Sequence, residues 1–255
     1  MHPTNKANRI KAQGAAFRLW KELGVPHPCE VPLEHLAASR NAFVQEGAMK
    51  GAEGRLIRKS GRGIIRACPN RNFPGRRRFT IAHELGHWEL HDGQSQFLCS
   101  DEDMRYYGRS PMEVEANHFA AELLMPTGYF REACGNSFPS IALIAELSTQ
   151  FQTTLTATAI RYADVSRHRV IIVWFCEGIV KWCYSKETHH LPYVVAGREP
   201  PQYSSATLKP DEVADEMQHY DDANWFPELP YAPEVLEETK RMPNLNAGLT
   251  LLYAP

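Results

Sequence analysis

The segment from Phe79 to His91, FTIAHELGHWELH, constrains the fold of this chain more than any other. Read as a helix opened by arginines and closed by Asp92-Gly93, it places Phe79, Ile81, Ala82, Leu85, Trp88 and Leu90 around most of its circumference. Such a helix belongs inside a folded body. Yet the same helix carries His83, Glu84 and His87, which would cost several kcal/mol if buried without partners. A bound cation removes that cost.

Residues four apart on a helix stand one turn above each other, so the imidazoles of His83 and His87 can converge on one metal ion. Glu84 then stands beside the first ligand, where its carboxylate can serve as general base toward a water at the open coordination position. A catalytic zinc takes a third protein ligand, and PMEVEANHFAAELLMP, a helix opened by Pro111 and ended by Pro126, offers Glu113 and Glu115. Helix geometry favours Glu113, which shares a face with Asn117; Asn117 can then hydrogen-bond a ligand, and Glu115 falls on the rim. His91 continues the series, but two turns from His83 is roughly 12 Å, too far for one ion, so it reads as a capping or packing histidine. His118 reads first as a packing histidine and second as a transition-state donor.

Around these two helices the pattern is mixed. Residues 5–23 have helical apolar spacing that ends at Gly24, residues 33–40 suggest a second helix, and AFVQEGAM, GRLIRKS and GRGIIRACP read as three strands of a small antiparallel sheet. The segment from Gln94 to Ser110 reads as a loop long enough for a lid or rim. FPSIALIAELSTQFQTTLTATAIRYAD gives two helices of helix-turn-helix size, and VIIVWF with IVKWCYS a hairpin around Glu177-Gly178. Beyond about His189, prolines, acidic residues and isolated aromatics predict irregular structure. The expected fold class is α+β: a helical zinc-peptidase core with a small antiparallel sheet over residues 1–135, a helix-turn-helix-like pair packed on it over 136–166, and a C-terminal β-hairpin and irregular region over 167–255 with a sensory or regulatory part.

No stretch reaches the roughly 20 apolar residues of a bilayer span, and the N-terminus lacks a secretory run. The six cysteines are scattered without a C-x-x-C pair, as in a chain of reduced thiols. These features predict a cytoplasmic protein that does not engage a membrane.

Taken together, RRRFTIAHELGHWELH followed by EVEANHFAAELLMP resembles the ImmA/IrrE family of bacterial and phage zinc metallo-endopeptidases. The likeness extends over roughly residues 5 to 165 and weakens beyond. It implies zinc as cofactor, His83, His87 and Glu113 as ligands, and Glu84 as base. It also implies a substrate, a helix-turn-helix transcriptional repressor whose site-specific cleavage, often in response to DNA damage, derepresses a stress, phage or defence operon. The C-terminal part does not match the sensor domain of the radiation-response members.

A repressor-cleaving protease needs gating, and two features suggest how. Every formal charge from Arg55 to Arg78 is positive, so Arg55, Arg58, Lys59, Arg76, Arg77 and Arg78 are candidate contacts to the phosphates of single-stranded DNA as activator. A solvated strand face explains the same charges equally well. Cys99, between the two metal helices, offers a thiolate that could occupy the open coordination position as an inhibitory fourth ligand. The rival from another class is a non-catalytic DNA-binding or repressor-binding sensor with a structural zinc site closed by four protein ligands.

Overall fold

The computed structural model describes residues 7–24, 27, 32–49, 52–69, 74–92, 96–99, 110–208, 217–220 and 223–255, with the backbone alone for Leu23 and for 96–99. Contacts group the chain into two compact units, one of residues 1–129 with 149–154 and the other of 130–148 with 155–255. Among the described residues no helix is long and apolar enough to cross a membrane.

In the first unit, helix α1 (Arg9–Leu23) starts at Asn8, whose side chain accepts from Lys11 N, and stops at Gly24 in the left-handed conformation. Helix α2 (Leu33–Ser39) leads into strand β1 (Ala42–Glu46), followed by β2 (Gly54–Lys59) and β3 (Arg62–Ala67). The sheet is mixed rather than antiparallel, because β1 runs parallel to β3 while β2 pairs antiparallel with both β3 and β4 (Gln96–Cys99). Strands β2 and β3 are joined by Ser60 and Gly61, both at positive φ as a two-residue hairpin requires. The segment expected as one loop from Gln94 to Ser110 thus contains a strand.

Helix α3 (Pro74–Leu90) begins five residues before the expected Phe79, taking in the arginine run, since Pro74 suits a first helical position. It packs on β2 and β3 and, on its other side, against α4 (Pro111–Leu124). At Gly86 an added Cβ would meet Ala116 Cα and O at 3.2 Å, so the missing side chain is what lets the two helix backbones approach. Helix α5 (Thr127–Cys134) follows with no counterpart among the sequence expectations.

The second unit contains α6 (Ile141–Gln150) and α7 (Leu155–Val165), the two helices expected from the sequence, and a four-stranded antiparallel sheet in the order β6-β5-β8-β7. Strands β5 (Arg169–Cys176) and β6 (Ile179–Ser185) form the expected hairpin on Glu177 and Gly178, both at positive φ. The region expected to be irregular instead supplies β7 (Leu236–Met242) and β8 (Ala247–Ala254), and β8 lies centrally between β5 and β7. Its residues are buried on both faces, so AGLTLLYA shows no alternation.

What holds the preceding irregular chain to this sheet is Glu237, 1% exposed. Its carboxylate accepts from Ser204 Oγ at 3.0 Å, Ser205 N at 3.0 Å and Trp225 Nε1 at 2.7 Å. Glu237→Ala strands these donors in an apolar core and should lower stability by about 3 kcal/mol, read as the urea midpoint of the far-ultraviolet signal. An unchanged midpoint would show the clasp to be ornamental.

Candidate metal centre

Helix α4 opens with Ser110-Pro111-Met112-Glu113, the pattern of a capping box. Only half of the box forms: Ser110 Oγ accepts from Glu113 N at 3.3 Å, while the Glu113 carboxylate turns toward α3. There Oε2 lies 3.0 Å from His83 Nε2 and Oε1 3.3 Å from His87 Nε2. The two Nε2 atoms are 3.1 Å apart. One ligand atom from each of His83, His87 and Glu113 thus falls within 4.8 Å of the others, a spacing that fits one shared cation. Among the described residues the group comprises two imidazoles and one carboxylate, donors that suit a divalent transition metal.

The outward nitrogens are also engaged. His83 Nδ1 is 2.9 Å from Asn117 Oδ1, and His87 Nδ1 is 3.0 Å from His91 Nδ1, whose Nε2 meets Glu115 Oε2 at 3.0 Å. Glu115, expected on the rim, is thereby tied to His91, and its other oxygen accepts from Asn8 N at 2.7 Å. His118 is buried in α4 and is not part of the three-residue group. Glu84, fully buried, lies where β2 crosses α3: a Cβ on Gly54 would overlap Glu84 Oε1 and sit 2.7 Å from Thr80 Cγ2.

With the geometry in hand, comparison with known proteins is decisive at the level of a domain. The profile of the peptidase M78 family, described as the IrrE N-terminal-like domain, matches residues 44–162. Over residues 44–162 the chain is similar to that domain. Among solved structures, a Mycobacterium tuberculosis transcriptional regulator is similar with a TM-score of 0.63 over 96% of this chain and 76% of its own, at 17% identity, a likeness of fold. No curated protein sequence matches the chain.

Within the matched segment the charges of the three-residue group are interlocked. For His83, burial works against a proton, but the hydrogen bond and charge of Glu113, the charge of Glu84 and the bond to Asn117 together raise its pKa. His87 is driven down to about 4, first by burial and then by the neighbouring His83 and His91, against the pull of Glu113. Burial alone would raise Glu113, yet its bonds to His83 and His87 and their charges hold it well below the carboxylate range. These influences favour a proton on His83 over one on His87, beside the Glu113 anion.

A metal must displace that proton, which sets the sign of the pH effect. Because the pKa of His83 is raised, the competing proton is held to higher pH than on an ordinary histidine and leaves as pH rises. Metal affinity should climb about tenfold per pH unit through this range and then level off, measured by chelator competition. A flat profile from about pH 5 to 8 would contradict the assignment of this proton.

Part of the basic run meets partners within the fold. Arg58 turns under the end of α3, donating from Nη2 to His87 O at 2.6 Å and Trp88 O at 2.7 Å, with its guanidinium 4.3 Å from the Trp88 ring centre. It caps the helix that carries the histidines. Arg76 pairs with Glu53 at 2.9 Å, and Arg77 with Glu34 at 2.6 Å and Glu46 at 3.2 Å. Carboxylates distant in sequence thus neutralise charges that look uncompensated along the chain. Lys59 is exposed, and Arg55 and Arg78 are half-buried. Cys99 pairs in register with Gly54, the residue that crosses Glu84; its side chain lies outside the described residues.

Proposed function

We propose that this chain is a zinc-dependent endopeptidase that cleaves a helix-turn-helix transcriptional repressor at a specific site. The observation that carries the reading is the convergence of His83, His87 and Glu113 within 4.8 Å, with Glu84 next to the first of them on the same helix. In this reading a zinc ion held by the three residues supplies Lewis-acid polarisation and an acidified water.

The remaining steps fall to the chain. Asn117 holds the ring of His83 from behind, and the Glu113 carboxylate offsets positive charge at the centre. Glu84 takes a proton from the attacking water and delivers it to the leaving nitrogen as the peptide bond breaks. Its burial against Gly54 and Thr80 keeps bulk water from competing for that proton.

The proposed circuit is derepression of a stress, phage or defence operon after DNA damage, with single-stranded DNA as the activator. The test incubates the chain with the repressor encoded beside its gene, with and without a single-stranded oligonucleotide, and maps the products by mass spectrometry. One cut, lost on zinc chelation and accelerated by the oligonucleotide, supports the whole reading. A cut indifferent to DNA removes the activator alone, and an intact repressor with zinc bound favours a non-catalytic sensor.

A further inference from the structure

Each histidine of the centre presents Nε2 to the Glu113 carboxylate and leaves Nδ1 pointing away, and a metal-bound imidazole carries its proton on that outward nitrogen. For His83 the outward partner is the amide oxygen of Asn117. For His87 it is another histidine, His91, one turn further along α3.

The atoms dictate the direction of this chain of hydrogen bonds. If His87 donates from Nδ1, His91 must accept at Nδ1 and therefore carries its own proton on Nε2, which lies 3.0 Å from Glu115 Oε2. The carboxylate needs a donor there and finds one. Glu115 is in turn fixed by Asn8 N, 2.7 Å from Oε1, at the N-cap of α1. With His87 donating from Nδ1, each neutral imidazole in the series has one tautomer compatible with its neighbours.

We infer that His91 and Glu115 form a two-residue relay that fixes the tautomer and orientation of His87 and so sets metal affinity, with the start of α1 as its anchor. His91 and Glu115 are positioning residues, since neither enters the group of convergent ligand atoms. This inference rests on the reading of His87 as a metal ligand.

The test compares zinc affinity by chelator competition, and the visible absorption of the cobalt-substituted protein, in wild type, His87→Ala, His91→Phe, His91→Asn and Glu115→Gln. Phenylalanine fills the space of the imidazole without an acceptor, whereas the Oδ1 of asparagine stands near the place of Nδ1. The relay predicts that His91→Phe loses about 10- to 100-fold in affinity, that His91→Asn recovers most of it, and that Glu115→Gln falls between. It also predicts an altered cobalt spectrum for His91→Phe alone.

The thermal midpoint of the metal-free proteins separates a weakened ligand from a weakened fold, and Glu115→Gln carries the test if His91→Phe does not fold. Equal losses in the Phe and Asn variants, or affinities within twofold of wild type in all three relay variants, would overturn the relay. Wild-type affinity in His87→Ala would overturn the ligand assignment beneath it.

Discussion

Glu84→Gln is expected to lower the rate of peptide-bond cleavage by about 10³-fold with the metal still bound. The substitution keeps the shape of a fully buried side chain and removes only its ability to take a proton. The three convergent ligand atoms belong to His83, His87 and Glu113, all left in place, so the metal should remain bound. Single-turnover cleavage at saturating metal, with zinc content measured on the same sample, separates the two properties. A rate within tenfold of wild type would take the base role away from Glu84.

Gly54→Ala should come close to the same result from a residue with no chemistry of its own. The new methyl group would overlap Glu84 Oε1 and approach Thr80 Cγ2 to 2.7 Å, and both neighbours are buried, so the carboxylate is the part that must move. Displacement of a catalytic group by about 1 Å costs on the order of 10²-fold in rate, and crowding of this kind costs about 1–3 kcal/mol in stability. Zinc affinity should be unaffected, because Gly54 approaches the base and not the ligand atoms. Normal turnover in Gly54→Ala would mean that the carboxylate acts from another position than the one it occupies here.

The meeting of His83 and His87 was legible because it depends only on the period of a helix, and Glu113 joined them because it opens the next helix on a face shared with Asn117. Gly54 was not legible. Its importance comes from a strand crossing the helix at one point, and nothing in GAEGRLIRKS distinguishes it from the turn glycines nearby. His91 stood on the face of His83 and His87, but reach to a single ion is the wrong test for a residue that acts through another.

The same division applies to the fold. Hairpins announced by Ser60-Gly61 and Glu177-Gly178 carry their signal in adjacent residues, whereas β7 and β8 do not. β7 reads LEETKRM, polar because Glu237 and Glu238 serve as acceptors for the irregular chain and for the N–H of Ile141, and β8 lacks alternation because both its faces are covered. The charge run from Arg55 to Arg78 illustrates the converse: Glu34, Glu46 and Glu53, distant from Arg76 and Arg77 in sequence, approach them only in three dimensions.

The measurement that bears most directly on the central claim is anomalous X-ray diffraction at the zinc edge from crystals grown with zinc. One strong peak is expected about 2.0–2.1 Å from both His83 Nε2 and His87 Nε2 and about 2.0–2.2 Å from a Glu113 oxygen. A peak bound elsewhere, or none among these three residues in zinc-saturated crystals, would contradict it.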